Sequence, residues 1–213
     1  MAILDDVKQA VEKGDFNNIA DLTNKAIEEG NDPQAILDAE IAAMDYVGEQ
    51  FSAGKLFVPE MLLAAHTMTQ STEILKPLMA GDAGASLGKA IIGTVKGDMH
   101  DIGKNLVRMM VEGKGIEVID LGVDVPPEKF VETVKANPDC HLVLCSSLLT
   151  TTRDAIGDTI EALKEAGLRD QVKVMVGGAP VNQEFCDRVG GDAYTKDAGE
   201  AASVAAKLLS QAA

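Results

Sequence analysis

The chain of 213 residues has no tryptophan and only 3% aromatic residues. The aromatic platforms on which single-stranded nucleic acids stack are therefore scarce. Basic residues are also few, since 19 lysines and arginines stand against 34 acidic residues and the net charge is -15. A surface of that sign repels phosphate backbones and anionic lipid. We therefore predict no nucleic-acid partner and no membrane partner.

The sequence also lacks the signals that direct a chain into or across a membrane. No apolar run reaches the length of about 18 residues that a spanning helix needs. The first 15 residues are acidic and amphipathic, whereas a signal peptide has a basic start and an apolar run. The three cysteines, Cys140, Cys145 and Cys186, form no CxxC pair and are typical of reduced thiols. These features predict a cytoplasmic protein.

Residues 1–80 have a helical pattern throughout. Asp32-Pro33 is typical of a helix N-cap followed by proline at the first helical position. Apolar residues then recur at helical spacing up to Phe51, and further helices are expected near 3–13, from Asp15 to Gly30, and from Pro59 onward. The pattern predicts an all-α four-helix bundle. Residues 81–88, GDAGASLG, are small and are predicted to be a linker.

Residues 89–213 alternate between apolar runs and helical stretches. Strands are expected at 90–95, 117–121, 142–145, 172–176 and 193–195, with helices at 102–113, 127–136, 153–166, 182–189 and 198–211. Five strand–helix repeats predict a doubly wound α/β domain with a five-stranded parallel sheet, of the Rossmann or flavodoxin-like kind. Ligands of such sheets bind beyond the carboxyl ends of the strands, so the loops after each strand are the candidate site.

The loop after the first strand contains Asp98-Met99-His100-Asp101-Ile102-Gly103. Asp98 can accept a hydrogen bond from one ring nitrogen of His100, which would orient the imidazole so that the other nitrogen ligates a metal. Gly103 permits close approach of a ligand at the start of the helix. A loop histidine by itself is more often structural or solvated than a metal ligand.

Two more loops have compositions that suit a bound ligand. Five hydroxyl groups lie at the carboxyl end of the third strand, where they can donate to a polar ligand group: those of Ser146, Ser147, Thr150, Thr151 and Thr152. The simpler interpretation is a helix N-cap, for which Thr152 is the natural choice. Gly177-Gly178 follows the fourth strand and leaves room for a flat or bulky group, although an ordinary turn also uses such a pair.

Taken in order, the three loops resemble the cobalamin-binding domains of B12-dependent methionine synthase, methylmalonyl-CoA mutase and the corrinoid methyl-carrier proteins. The shared elements are Asp-x-His-x-x-Gly at 98–103, Ser-x-Leu at 146–148 and Gly-Gly at 177–178. They are separated here by 42 residues (104–145) and 28 residues (149–176). Both separations are close to those of the family, and three motifs in order are far more specific than one.

The resemblance implies a role for each matching residue. His100 should be the lower axial ligand of the cobalt, in place of the dimethylbenzimidazole of the corrinoid. Ser146 and Leu148 should line the pocket for the displaced nucleotide tail, and Gly177-Gly178 should make room for it. Tyr194 and Thr195 should add to that pocket. Thr152 lies where methionine synthase has a serine that contacts the Asp-His pair.

The helical half also resembles methionine synthase, in the segment that covers the upper face of the corrinoid. Phe51 and Val58 match the two apolar residues of that cap. Packing in a bundle core explains both residues equally well. The resemblance extends over nearly the whole chain, as a helical cap domain followed by a B12-binding domain.

A chain of this length has no room for the barrel domains, of about 250 residues, in which B12 enzymes keep their substrates. The resemblance therefore implies a corrinoid carrier subunit that is not catalytic alone. Its expected partners are a substrate-specific corrinoid methyltransferase, a second methyltransferase that serves tetrahydrofolate or coenzyme M, and a reductive activase. The alternatives are a B12-dependent sensor or regulator and a flavodoxin-like interaction or phosphorelay module without corrinoid.

Overall fold

The described residues of the helical part form four helices. The structure, a computed structural model, describes residues 2–79 and 87–212, so most of the predicted linker, 81–86, lies outside the described residues. The helices are α1 (Ala2–Lys13), α2 (Ile19–Glu28), α3 (Pro33–Ser52) and α4 (Val58–Met79). The carboxylate of Asp32 accepts a hydrogen bond from Gln34 N at 2.9 Å, so the predicted cap of α3 is present. Asp15 does not cap α2 and bonds the Asn18 side chain instead.

The second part is an α/β unit whose five strands are all parallel. The strands lie in the order β2-β1-β3-β4-β5, and the predicted fold class is confirmed. The elements are β1 (Gly88–Thr94), α5 (Ile102–Glu112), β2 (Ile116–Asp120), α6 (Pro127–Ala136), β3 (Cys140–Ser146), α7 (Ala155–Glu165), β4 (Lys173–Gly177), α8 (Gln183–Val189), β5 (Ala193–Tyr194) and α9 (Ala198–Ala212).

The sheet separates two apolar cores because successive side chains of a strand point to opposite faces. Ile91 and Val143 pack against α6, α7 and α8 on one face. Ile92 and Leu144 pack on the other face, where α5 and α9 join the helices of the first part in one continuous core. Helix α3 approaches α9 so closely that a Cβ on Gly199 would lie 2.7 Å from Gly48 O. The helical part is therefore packed directly against one face of the α/β unit.

The strand order places the switch point of the topology between β1 and β3, since the chain winds outward in opposite directions from these two strands. The crevice at the carboxyl ends of such a strand pair is where doubly wound sheets bind ligands. The loops after β1 and β3 are the ones that carry His100 and Thr152. Within the described residues, no helix is long and apolar enough to cross a membrane.

Candidate functional site

A buried carboxylate forms the centre of the site. Asp98, at the carboxyl end of β1, is fully buried. Its Oδ2 accepts hydrogen bonds from Leu148 N at 2.7 Å and Thr152 Oγ1 at 2.8 Å, with longer ones from Leu149 N and Ser147 Oγ, both at 3.3 Å. All four donors belong to the loop after β3. The two loops at the switch point are therefore joined through one carboxylate.

The other oxygen of Asp98 holds His100. Asp98 Oδ1 lies 2.7 Å from His100 Nδ1 and also accepts from the His100 backbone N at 3.1 Å. The side chain of His100 is 49% exposed, and no described residue forms a hydrogen bond with its Nε2. A carboxylate acceptor at Nδ1 favours the tautomer in which Nε2 carries a lone pair. The pair therefore presents one oriented, exposed nitrogen to a ligand.

The donors around Asp98 keep it ionised. Burial alone would raise the pKa of this carboxyl group. The hydrogen bonds from Leu148 N, from the ring and backbone of His100 and from Thr152 outweigh burial and hold the pKa of Asp98 well below its usual range. A carboxylate that stays charged is a strong acceptor for an imidazole N–H.

The backbone of the His100 loop is fixed by residues of the β2–α6 connection. Asp124 has a positive φ of 53°. Its carboxylate accepts from Gly97 N at 2.7 Å, and its own N–H donates to Asp98 O at 2.9 Å. On the opposite side, Thr94 Oγ1 donates to His100 O at 2.8 Å. The loop is held before any ligand arrives, which is the arrangement that a precise metal-ligand site needs.

Exposed apolar side chains surround the histidine. Met99 and Ile102 are 68% and 76% exposed, and Leu148 and Leu149 are 44% and 41% exposed. They come from the two loops that Asp98 joins. Exposed apolar groups clustered at one edge indicate a binding surface, in this case for a ligand with a broad apolar face.

A cavity of about 240 Å³ lies beside the same edge, on the α5 and α9 side of the sheet. Its walls are the ends of β1, β3 and β4, the first turns of α5 and α9, and Phe51 at the end of α3. Six of the predicted site residues line it: Phe51, Gly103, Ser146, Gly177, Gly178 and Thr195.

Several other predicted residues lie elsewhere. Tyr194, the residue before Thr195, packs against the core on the opposite face of the sheet, so its side chain does not line this cavity. Its contribution to the tail pocket stays a prediction. The side chain of Leu148 is not among those that line the cavity, and its contribution is the N–H bound to Asp98. Val58 is 37% exposed at the first turn of α4 and does not line the cavity either.

The loop after β3 also corrects an expectation about capping. Helix α7 begins at Ala155, and the hydroxyl of Thr152 is bound to Asp98 rather than to a helix N–H. Thr150 is exposed in the turn, and Asp101 is exposed and accepts only a long bond of 3.3 Å from the Asn105 side chain. Thr152 therefore belongs to the His100 support, while Thr150 and Asp101 lie at its edge.

The two glycines after β4 serve different purposes. Gly178 has φ +121°, and a Cβ there would lie 1.8 Å from Ser147 O. Only glycine fits against the backbone of the Ser147 loop. A Cβ on Gly177 would meet its nearest atom at 3.6 Å, which is an ordinary contact. The pair was predicted to make room for a ligand, whereas at Gly178 the room is taken by the neighbouring loop.

Three residues support the site in ways that the sequence did not predict. Ser147 is buried and bonds both Asp98 and Thr152. Asp124 holds the turn at Gly97, and Lys104, buried at the cavity wall, donates from Nζ to Asp120 at 2.6 Å. Strand alternation places Ser147 on the face opposite Ser146, which was an available signal. The contacts of Asp124 and Lys104 depend on the sheet order and have no local pattern.

Comparison with known proteins places this geometry in a family. A B12 binding domain model matches residues 88–207, and a second B12 binding domain model matches residues 3–76. The dimethylamine corrinoid protein 1 of Methanosarcina acetivorans is 47% identical over 180 residues, which is 84% of each chain.

Two solved structures are similar over nearly the whole chain. A cobalamin-binding protein from Desulfitobacterium hafniense is 34% identical with a TM-score of 0.82, and the alignment covers 96% of this chain and 98% of that one. A chain of the methanol:cobalamin methyltransferase complex from Methanosarcina barkeri is 28% identical with a TM-score of 0.85, over 98% and 80%.

The fold and the matched residues define a protein with a helical part and a corrinoid-binding α/β part. This chain belongs to the B12 binding domain family, whose cofactor is a cobalamin or related corrinoid. The resemblance to the corrinoid methyl-carrier proteins that the three loops indicate is confirmed.

Proposed function

We propose that this chain carries a methyl group on the cobalt of a bound corrinoid between two methyltransferases. A substrate-specific corrinoid methyltransferase would load it, and a second methyltransferase would pass the methyl group to tetrahydrofolate or coenzyme M. The observation that most supports this role is the buried Asp98 that orients the exposed ring of His100 beside a cavity. The chain would act as a carrier and not as a catalyst alone.

The described residues fit a corrinoid. A flat macrocycle needs an apolar rim and one axial ligand, and the exposed Met99, Ile102, Leu148 and Leu149 surround the available nitrogen of His100. A nucleotide tail needs a cavity with some polar groups in its wall, and Ser146 and Thr195 provide hydroxyl groups there. When bound, the corrinoid supplies a cobalt ion that accepts and releases a methyl group. The residues of the chain would bind the cofactor, orient it and exclude water.

His100 would be the lower ligand of the cobalt through Nε2. The carboxylate of Asp98 fixes the ring orientation, as such partners do for metal-bound imidazoles. Leu148 N and Thr152 Oγ1 fix that carboxylate in turn. Removal of any of these hydrogen-bonding groups is therefore expected to weaken the binding of cobalt by His100 and to leave binding of the nucleotide tail in the cavity intact.

The partner assignment rests on similarity to a chain of a methyltransferase complex and on charge. The net charge of -15 suits docking onto basic surfaces. A reductive activase belongs to the same proposal. The relatives differ in the methyl donor that their names carry, dimethylamine in one and methanol in another. We infer that the partner enzyme chooses the donor, and that the carrier works in the cytoplasm.

The cofactor assignment is tested by adding hydroxocobalamin to the corrinoid-free protein and recording cobalt content and the visible spectrum. The wild type should bind one cobalt per chain and show the visible spectrum of a histidine-ligated corrinoid. The spectrum of His100→Ala should lack the signature of histidine ligation. His141→Ala is the matched control, because His141 lies at the opposite end of β3 and bonds Gln171 O. A colourless, cobalt-free wild type would contradict the proposal.

The carrier role needs a second experiment. The cobalamin-loaded protein is mixed with purified methyltransferases specific for dimethylamine or methanol, and methyl transfer is followed by the change in the visible spectrum. At least one enzyme should methylate the wild type. A loaded wild type that serves none of them, but changes the mobility of DNA, would favour the sensor or regulator.

A further inference from the structure

The helical part contributes one residue to the cavity. Phe51, in the last turn of α3, is the only described residue before β1 that lines it, and the other lining residues lie between 92 and 201. The volume of about 240 Å³ is below the range of roughly 300–1,000 Å³ that is typical of ligand pockets. The remaining walls are strand ends and helices of the α/β unit, so a displacement of the end of α3 is the change that would enlarge the cavity and leave the sheet in place.

A polar contact holds the end of α3 at that place. Ser52 Oγ donates to Asp197 Oδ1 at 2.9 Å, joining residues 145 positions apart. Asp197 is itself fixed, because the same oxygen accepts from Glu200 N at 2.8 Å in the first turn of α9. Asp197 also lines the cavity. The hydrogen bond therefore connects Ser52, the residue next to Phe51, with Asp197, another residue of the cavity wall.

The backbone geometry shows that this contact is built for close approach. Gly48 lies one turn before Ser52, and a Cβ on Gly199 would lie 2.7 Å from Gly48 O and 2.9 Å from Ser52 Oγ. A side chain at position 199 would push the end of α3 away from α9. The absence of one lets the hydroxyl of Ser52 reach Asp197.

We propose that Ser52 is a positioning residue that holds Phe51 as the movable wall of the cavity, and that the Ser52–Asp197 hydrogen bond must open for the nucleotide tail of the corrinoid to enter. This inference rests on the proposed function, since it takes the cavity as the tail site. It goes further by assigning control of cofactor entry to a contact between α3 and α9.

The test measures the rate at which corrinoid-free protein takes up hydroxocobalamin, followed by the visible spectrum in rapid mixing. Ser52→Ala removes the donor and leaves Asp197 as the cap of α9. Uptake should be about fivefold faster, the change expected from losing one hydrogen bond of ordinary strength, with the final spectrum and cobalt content unchanged. Ser52→Thr keeps a hydroxyl and should restore a rate near that of the wild type.

Asp45→Asn is the matched control, because Asp45 pairs with the buried Lys114 and also ties α3 to the α/β unit, but away from the cavity. It should lower the thermal midpoint without changing the uptake rate. Equal uptake rates in wild type and Ser52→Ala would overturn the inference, as would equal acceleration in Ser52→Ala and Asp45→Asn. A wild type that takes up no corrinoid would instead overturn the proposed function.

Discussion

Among the described residues, each part of the molecule buries one carboxyl group completely, Glu40 in the helical part and Asp98 in the α/β unit, and the two groups have opposite surroundings. Asp98 in the α/β unit receives N–H donors on Oδ1 and both N–H and O–H donors on Oδ2. Glu40 in α3 contacts only the hydroxyl of Ser71 through Oε1, and its Oε2 has no partner among the described residues. Burial raises the pKa of Glu40 to about 8, and the Ser71 bond lowers it only in part. Donors, rather than burial, decide which carboxyl group stays charged.

The hydroxyl groups near Glu40 also show that this carboxyl group has too few donors to stay charged. Thr23 Oγ1 donates to Ile19 O at 2.8 Å and lies 2.6 Å from Ser71 Oγ, which in turn contacts Glu40. Ser71 Oγ donates to Glu40 Oε1 and is the only donor to this carboxyl group among the described residues. One donor is too few to offset the burial of Glu40. The bundle therefore uses a neutral acid where the cofactor site uses a carboxylate.

The largest effect is expected from Asp98→Asn. The amide NH₂ would replace one carboxylate oxygen among donors, leaving buried N–H and O–H groups without an acceptor. The free energy of unfolding of the corrinoid-free protein should fall by about 4 kcal/mol, as when one partner of a buried charged network is removed. Urea titration measures the loss. Asp101→Asn, in the same loop but exposed, should change the value by less than about 0.5 kcal/mol.

The next effect concerns the pH dependence of stability through Glu40. Its pKa is about 8 in the folded protein and 4.5 in the unfolded chain, so the unfolded state loses its proton first as pH rises. The stabilisation is complete below about pH 4.5 and is lost up to about pH 8. Between these two values the free energy of unfolding falls by up to about 1.4 kcal/mol per pH unit.

Glu40→Gln should remove this slope in urea titrations at a series of pH values. The absolute stability of the variant is less informative, because the amide NH₂ also lacks a partner. Glu49→Gln is the control: it removes a carboxylate from the exposed side of the same helix and should leave the slope in place. An unchanged slope in Glu40→Gln would show that another group titrates.

Sequence patterns located one of these groups and missed the other, for physical reasons. Asp98 and His100 are two residues apart after a predicted strand, so their pairing follows from local geometry, and the order of the three motifs supplied the rest of the site. Glu40 also had a local signal, since it occupies the apolar face of α3 with Ile36, Met44 and Val47. Its neighbours Ser71 and Thr23 come from other helices, and their meeting depends on packing.

The helices and strands could be predicted because the residues that determine them are close together in the sequence. Asp32-Pro33 fixed the start of α3, and the buried runs at β1 and β3 were long enough to indicate strands. The order β2-β1-β3-β4-β5 and the packing of α3 on α9 depend on contacts between distant segments. The division into domains at 81–88 stays a prediction.

A smaller effect is expected from Thr152→Val, which keeps the shape of the side chain and removes one donor from Asp98 Oδ2. The remaining donors still satisfy the carboxylate, so the loss of unfolding free energy should be about 1.5 kcal/mol. The affinity for hydroxocobalamin should also fall, since partners of a ligating histidine affect metal binding. Thr152→Ser retains the hydroxyl and should restore both values. Equal values in Thr152→Val and wild type would mean that the Thr152 bond contributes nothing.

The smallest effect, and the sharpest test of the comparison, is expected from Ser71→Ala. It removes the one hydroxyl that contacts Glu40, so at acid pH the unfolding free energy should fall by about 1 kcal/mol. Because the Ser71 bond lowers the pKa of Glu40, its loss should raise that pKa further and extend the pH-dependent decline to more alkaline pH. Ser203→Ala removes a hydroxyl that bonds only its own helix at Gly199 O and should leave the decline where it is. A decline that ends at lower pH in Ser71→Ala would mean that Ser71 favours the neutral acid, contrary to the contrast with Asp98.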